Sequence, residues 1–334
     1  MNGLLLAAFF AALLLVIPSP SRFHGDERYY TDAAMQMKQS GDYWTPVYAD
    51  GRIRLLKPIL TYWTTVGSFQ VFGVNYFAAR LPSAIAGALI LLLTWQLARA
   101  VFNSNRTALL AALIMASNSE LMAISTRITP DALVCLFVLM SMWGFARIWF
   151  AGDQSFVGPL LVFGGMGLAV QTKGLLGLCP LGANLLFCLL VRPGRARLKS
   201  FLNWPAIVVG IGLGVFWYAL MLQRHGLGAL RDFYDDQVGA QLAGNPGFIL
   251  GSFARYVLAV VRHFLPWTLL LLAALIWGRQ ELARFWKSHR NESVFLLSLS
   301  AILLVVFALG KMRSARYLTA SYPLLAVLVA GALS

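Results

Sequence analysis

The sequence contains few charged residues. Only 12% of its 334 residues are Asp, Glu, Lys or Arg, about half the share found in soluble globular proteins. This shortage excludes a cytosolic enzyme, a secreted disulfide domain and a disordered chain, because 59% of the residues are hydrophobic and the mean hydropathy is +0.71. The composition therefore predicts a membrane protein.

Cysteine and acidic residues are also scarce. Cys135, Cys179 and Cys188 each lie inside an apolar run, which predicts buried small side chains rather than disulfides or metal ligands. The 13 acidic residues face 27 basic ones, giving a net charge of +14. In a soluble protein this excess would indicate nucleic-acid binding. Here the basic residues lie between apolar runs, so membrane lipids and phosphates are the predicted partners, and nucleic acid is not.

The apolar runs predict about ten membrane spans, since one crossing takes about 20 residues. Residues 3–18 lack a basic flank and a cleavage pattern, so they are predicted to be a retained helix rather than a signal peptide. The other predicted spans are 77–98, 107–119, 130–150, 158–172, 174–191, 203–222, 255–277, 293–309 and 317–334. Residues 1–334 are interpreted as one all-α, polytopic transmembrane bundle without a C-terminal soluble domain.

Basic residues in alternate short loops predict the orientation. They are Arg99 with Arg106, Arg147, the segment 192–199 and the segment 279–290. The positive-inside rule assigns these loops and the N-terminus to the cytoplasm. Residues 19–76 then form a large outer loop, on the periplasmic side of a bacterial inner membrane.

Two short helices are predicted within this outer loop. Residues 28–40 place Tyr29, Ala33 and Met37 at helical spacing among polar residues, which is typical of an amphipathic helix in the membrane interface. Gly41 is expected to end it. A second interfacial helix is predicted to begin near Pro58.

Three acidic residues at the predicted outer face are candidates for chemistry. Asp26 and Glu27 follow the first span, and because adjacent residues diverge by about 100° on a helix, only one of them can face a common site. One of them could be a general base, or both could complement a helix dipole. Asp131, in a Thr-Pro-Asp helix start, is explained almost completely as a first-turn charge, but it is predicted to lie at the same outer face as Asp26 and could act beside it.

Cations on the same predicted side need a reason, since the positive-inside rule disfavours them there. Lys173 and Lys311 lie in short outer turns between apolar runs, and together they could bind a phosphate, which requires charge-assisted donors. The alternative is that each long side chain reaches the lipid headgroups from a helix end.

Six short motifs occur in a fixed order along the chain. They are D-E-R-Y after the first span, G-D-Y-W-x-P, K-P-x-L-x-Y-W, a span-opening T-P-D, T-K-G, and K-(x)5-Y before the last span. In this order the chain resembles the C-superfamily (GT-C) membrane glycosyltransferases, and more specifically family 39 and the aminoarabinose-transferase (lipid A) group, relatives of the protein O-mannosyltransferases.

The resemblance implies a GT-C-like fold and an inverting glycosyltransferase. Such an enzyme moves a hexosyl or pentosyl group from a polyprenyl (undecaprenyl) phosphate to a cell-envelope acceptor such as lipid A or another glycan. Carried over by position, the catalytic residues are Asp26, Asp131 and Glu27. The donor phosphate is bound by Lys57, Lys173, Lys311, Arg316 and Tyr317.

Two positions depart from the aminoarabinose branch, in which a glutamate before the lysine-proline motif and a histidine in a later outer loop help bind a metal. This chain has Leu56 and Gln237 there, so the resemblance implies no complete metal site, and Asp236 is the remaining candidate ligand. Three alternative functions stay open. They are a transporter or flippase for a polyprenyl-linked or anionic lipid, a protein O-mannosyltransferase-type enzyme, and a non-catalytic envelope assembly subunit.

Overall fold

The computed structural model describes residues 3–20, 25–191, 195–235, 246–308 and 315–334. Its regular elements there are helices, as predicted. The helices are α1 Gly3–Val16, α2 Gly25–Ser40, α3 Leu60–Phe72, α4 Tyr76–Phe102, α5 Asn105–Ala116, α6 Ser119–Ser125, α7 Pro130–Trp149, α8 Val157–Lys173, α9 Cys179–Val191, α10 Arg195–Phe201, α11 Trp204–Tyr234, α12 Pro246–His263, α13 Trp267–Trp277, α14 Arg279–Ser288, α15 Arg290–Ala308 and α16 Tyr322–Leu333, with 3-10 helices at Gly174–Leu178 and Ala315–Ser321.

The chain is a multi-pass membrane protein, but the count of about ten spans is not confirmed. Within the described residues, six segments are long and apolar enough to cross a membrane, or up to eight if each bent helix pair is one span. The bent pairs are α5 with α6, at 65°, and α12 with α13, at 100°. The first predicted span, α1, has only 14 helical residues.

Helix α7 defines the two ends of the bundle. Its 20 residues run from Pro130 to Trp149, which at 1.5 Å per residue is about 30 Å, close to the thickness of a bilayer core. The Asp131 end is the end at which α7 begins, and the Trp149 end is the opposite one. Sixteen residues of α7 are buried, so it is the central helix.

Glycines let the helices around α7 approach closely. A Cβ on Gly165 of α8 would lie 2.8 Å from the carbonyl oxygen of Phe137 and from the amide nitrogen of Ser141, both on α7. A Cβ on Gly144 of α7 would lie 2.8 Å from the carbonyl oxygen of Gly158 on α8. Small residues at such crossings allow the backbone contacts that stabilise helix pairs in membranes.

The boundary at Lys173 between the predicted spans 158–172 and 174–191 is a turn between two antiparallel helices. Helix α8 begins beside Ile148 of α7 and ends at Lys173, next to Asp131. Gly174, at φ +67°, turns the chain, and α9 returns until the ring of Phe187 lies 4.8 Å from that of Trp149. Residues 157–191 therefore form a helical hairpin. Its turn, at Lys173, lies at the Asp131 end of the bundle, and its two helices extend to the Trp149 end.

Helices are confirmed over both segments predicted in the first long loop, as α2 and α3. Gly41 adopts φ +75° and its amide donates to the Met37 carbonyl at 3.1 Å, which ends α2 as expected. The two helices form a second apolar cluster with α11, whose members include Tyr30, Ala33, Ala34, Met37, Ile59, Tyr62, Val66, Trp217 and Met221.

Candidate functional site

A chain of ion pairs joins four elements at the Asp131 end. The Nη2 of Arg316 donates to Oδ2 of Asp26 at 3.2 Å, and the Nη1 of Arg316 lies 3.8 Å from Oδ2 of Asp131. The Nζ of Lys173 donates to Oδ1 of Asp131. Helix α2, the first turn of α7, the tip of α8 and the 3-10 helix before α16 each supply one of these side chains. Residues 290 positions apart in the sequence are thus in contact.

The two ends of this chain differ in burial. Asp131 and Lys173 expose 7% and 11% of their side chains, whereas Arg316 exposes 27% and Asp26 exposes 48%. A half-exposed ion pair is worth about 0 to 1 kcal/mol. Breaking a buried pair by removing one partner costs about 3 to 5 kcal/mol. Asp26 can therefore leave its arginine easily, while Asp131 and Lys173 form the fixed part of the site.

Tyr317 fixes the lysine from another side. The Nζ of Lys173 lies 4.8 Å from the centre of the Tyr317 ring, and that ring stacks on Phe307 at 4.6 Å. A cation over a tyrosine face is attracted by the electron density of the ring. The ammonium group is thus held between a carboxylate and an aromatic face at the Asp131 end.

The start of α7 explains how Asp131 reaches the cluster. Thr129 is in the extended N-cap conformation, and Pro130 occupies the first helical position, as the sequence predicted. Asp131 is one position further, where its carboxylate lies in the positive field of the helix N-terminus. The structure also brings Lys173 and Arg316 to this carboxylate. Asp131 is therefore an acid in the first turn of a helix, and it also lies in the ion-pair cluster that contains Asp26.

Glu27 points away from the cluster, into the protein interior. It is fully buried and pairs with Arg80 of α4 through two contacts, Nε to Oε2 at 2.8 Å and Nη2 to Oε1 at 3.2 Å. The amide of Ile128 also donates to Oε2, and Arg80 donates to the carbonyl oxygens of Ile17 and Ser19. Asp26 and Glu27 diverge as adjacent helical residues must, and this geometry gives Glu27 the role of fixing α2 to α1 and α4.

A second network lies beside the cluster and was missed from the sequence. Oε2 of Glu120 is 3.8 Å from Nε2 of His263, whose Nδ1 is 2.9 Å from the hydroxyl oxygen of Tyr322. The Nδ2 of Asn118 donates to the His263 carbonyl at 3.1 Å. The network ties α12 to α6 and α16. A lone glutamate and scattered histidines gave no spacing that could have predicted it.

Arg54 holds the segment between α2 and α3 in place. Its Nε donates to the hydroxyl of Tyr62 at 3.0 Å and its Nη1 to that of Tyr48 at 2.9 Å, while the rings of Tyr29 and Tyr30 lie 4.9 and 5.6 Å from its Cζ. Burial raises the pKa of Tyr62 to about 12, so the hydroxyl stays protonated and accepts from the guanidinium. Lys57 is half-buried in the same segment, just before α3.

Other predicted site residues lie outside the described part of the chain. They are Lys311, Asp236 and Gln237. Leu56 is described, and it offers no ligand atom. Among the described residues no group of three or more His, Cys, Asp or Glu side chains could hold a metal ion.

Known proteins that are similar to this chain include the kinds of glycosyltransferase that the motifs indicated. Residues 56–220 match the family model for dolichyl-phosphate-mannose-protein mannosyltransferases. An uncharacterised protein from Aquifex aeolicus is 30% identical over 305 residues, which cover 91% of this chain and 58% of that protein. An undecaprenyl phosphate-alpha-4-amino-4-deoxy-L-arabinose arabinosyl transferase from Pseudomonas fluorescens is 29% identical over 341 residues, covering 99% of this chain and 55% of that protein.

Solved structures show the same fold. The chain superimposes on ArnT from Cupriavidus metallidurans bound to undecaprenyl phosphate with a TM-score of 0.82 at 20% identity, over 99% of this chain and 59% of that one. It also matches the oligosaccharyltransferase AglB from Archaeoglobus fulgidus in complex with a dolichol phosphate, with a TM-score of 0.57 at 17% identity, over 98% and 50% of the two chains.

The resemblance to the C-superfamily membrane glycosyltransferases and the all-α fold are thereby confirmed. The chain spans less than three fifths of the length of these relatives.

Proposed function

From this fold and the ion-pair cluster, we propose that the protein is an inverting glycosyltransferase that takes its sugar from a polyprenyl phosphate. The observation that carries the proposal is the meeting of Asp26, Asp131, Lys173, Arg316 and Tyr317 at one end of an apolar bundle. Cations at a membrane face can bind the phosphate of a lipid-linked sugar, and a carboxylate beside them can accept the proton of an acceptor hydroxyl.

In the proposed reaction the acceptor oxygen attacks the anomeric carbon, and the bond from that carbon to the phosphate oxygen breaks. Negative charge grows on the leaving phosphate, so cations aimed at it lower the barrier more than they tighten ground-state binding. Arg316 and Lys173 supply that charge in the described cluster, with Tyr317 beside them. Lys57 and Lys311 are proposed to contact the same phosphate.

Asp26 is proposed as the catalytic carboxylate. When the acceptor is a hydroxyl, its proton passes to Asp26 during attack. When the acceptor is itself a phosphate, there is no proton to remove, and Asp26 orients the acceptor. Asp131 keeps its charge by pairing with Lys173 and holds that lysine in place. Glu27 acts through α2, since its carboxylate is bound to Arg80.

Donor binding is proposed to release Asp26 for this role. The carboxylate of Asp26 and the phosphate of the sugar donor would both accept a hydrogen bond from Nη2 of Arg316, so they compete for it. The pair of Asp26 with Arg316 is only partly buried. A phosphate that accepts this hydrogen bond displaces the Asp26 carboxylate from Arg316, next to the anomeric carbon of the sugar. The carboxylate of Asp26 is then more available to the acceptor when a donor is bound.

The proposed site faces the periplasm. The support is the placement of the acid and its cations at the end of α7 opposite Arg197 and helix α14, which belong to basic segments that the positive-inside rule assigns to the cytoplasm. The proposed acceptor is a cell-envelope lipid such as lipid A, or another envelope glycan, by analogy with the arabinosyl transferases among the relatives.

The test is sugar transfer in proteoliposomes made with the full chain. Labelled polyprenyl phosphate sugars are supplied with envelope acceptors, and wild type is compared with Asp26→Asn. Asp32→Asn, on the same helix and paired with Arg28, is the matched control. Transfer by wild type and control but not by Asp26→Asn supports the proposal. Equal transfer by all three removes Asp26 from its role, and lipid movement without a glycosidic product identifies a transporter instead.

A further inference from the structure

A basic amphipathic helix lies far from the ion-pair cluster. Helix α14 connects two apolar helices, and its sequence RQELARFWKS is followed by His289 and Arg290. Leu282, Phe285 and His289 are half-buried on one face, and the residues between them are exposed. The helix thus has an inner apolar face and an outer polar face.

Aromatic contacts place α14 at the Trp149 end of the bundle. The ring of Phe285 lies 6.1 Å from that of Phe102, the last residue of α4, and stacks on His289 at 5.0 Å. Helix α4 carries Arg80 near its start, at the Asp131 end, and its 27 residues span about 40 Å. Helix α14 is therefore separated from the ion-pair cluster by about one bilayer core.

The outer face of α14 is strongly cationic. It carries three cations, Arg279, Arg284 and Lys287, and one acid, and Arg290, the first residue of α15, adds a fourth cation beside it. That acid, Glu281, contacts Arg284 at 2.9 Å, but both side chains are more than 60% exposed, so the pair holds the arginine weakly. Trp286 is 46% exposed among these cations, and Trp277 just before the helix is 82% exposed.

We propose that the outer face of α14 binds the headgroups of anionic phospholipids. Arg and Lys supply the charge-assisted donors that a phosphodiester accepts, and exposed tryptophans favour the headgroup region of a bilayer. The apolar face packs on the bundle, so the helix presents its cations in a fixed array at one membrane surface. This inference does not depend on the proposed transferase activity.

The test measures lipid binding by the full chain in phosphatidylcholine nanodiscs, with dansyl-labelled phosphatidylglycerol as the probe and tryptophan-to-dansyl energy transfer as the signal. The test variant combines Arg284→Gln, Lys287→Gln and Arg290→Gln. The matched control combines Arg28→Gln, Arg52→Gln and Arg224→Gln, which removes three cations from the Asp131 end. At about 1 kcal/mol for each cation near the surface, the affinity of the test variant should fall at least about tenfold.

The control should stay within about twofold of wild type, because its cations lie at the Asp131 end of the bundle, away from the α14 face. Equal loss in both variants, or no loss in the α14 variant, overturns the proposal. A charge-retaining variant, Arg284→Lys with Arg290→Lys, guards against misfolding. It should bind phosphatidylglycerol as wild type does, and loss of binding there also overturns the proposal.

Discussion

Three consecutive residues at the start of α2 form three ion pairs with very different surroundings. Glu27 pairs with Arg80 where both side chains are almost completely buried. Asp26 pairs with Arg316 at partial exposure, and Arg28 pairs with Asp32 where the arginine is 72% exposed. The three pairs have similar chemistry, and they differ in burial. One is a buried structural pair, one is the partly exposed pair of the proposed site, and one is a surface contact.

Breaking the buried pair should have the largest effect on folding. Glu27→Gln leaves the Arg80 guanidinium buried without a counter-charge, which should destabilise the fold by about 3 to 5 kcal/mol. The measurement is resistance to unfolding in mixed detergent micelles. The double variant Glu27→Met with Arg80→Leu should recover much of the loss, because it removes both charges. A double variant as unstable as the single one would contradict the view that the unpaired charge is the cause.

Breaking the half-exposed pair should separate function from stability. Asp26→Asn should lower transfer to a hydroxyl acceptor by about 10² to 10⁴-fold, the usual contribution of general base catalysis. Stability in detergent should change by less than about 1 kcal/mol, since the pair is exposed. If the activity of Asp26→Asn falls only as much as the amount of folded protein falls, Asp26 is a structural residue, as Glu27 is.

The two partners of that pair should affect the donor in opposite ways. Arg316→Gln removes a charged hydrogen-bond donor to the phosphate and should weaken binding of the polyprenyl phosphate sugar by about 10 to 100-fold. Asp26→Asn removes a competitor for the same guanidinium, so the donor should bind at least as tightly as in wild type. Binding of a polyprenyl phosphate measured by calorimetry distinguishes them. Weaker donor binding in Asp26→Asn would rule out release of Asp26 by the donor.

Two adjacent glycines on α8, Gly164 and Gly165, differ in how closely they contact α7. Gly165→Ala places a Cβ 2.8 Å from backbone atoms of α7 and should destabilise by about 1 to 3 kcal/mol. Gly164→Ala is the control, because its Cβ would be 4.0 Å from the nearest atom, a flexible methyl of Leu160. The unfolding measurement used for Glu27 applies here. Equal losses in both would mean that helix contact does not distinguish the two positions.

Breaking the surface pair should have the smallest effect. Arg28→Gln removes one partner of an i, i+4 contact that is screened by water, and stability should change by no more than about 0.5 kcal/mol. Transfer activity should stay within about twofold of wild type, because Arg28 points away from the Arg316 cluster on an exposed face. Unfolding and transfer assays on this variant complete the series from buried to exposed.

The elements of the site could be predicted one at a time, but their partners could not. Asp26, Lys173 and Tyr317 were recognised from motifs, and Asp131 from a helix start. Nothing in the local sequence distinguishes Asp26 from Glu27, since both are acids at one helix N-terminus. Glu120 was missed as a site neighbour because its partner, His263, lies far away in the chain.

The sequence by itself determined that the chain lies in a membrane, where its helices form, and which reactive side chains it carries. Apolar runs long enough to cross a bilayer predict helices, glycine and proline predict where the helices end, and motif order indicates the family that the chain resembles. Only the tertiary structure decided which acid meets which base. Helix pairing depends on close backbone contacts at glycines such as Gly165, and the α8–α9 turn brings Lys173 to Asp131 across 42 positions. Burial, which sets the strength of an ion pair, exists only once those helices are packed.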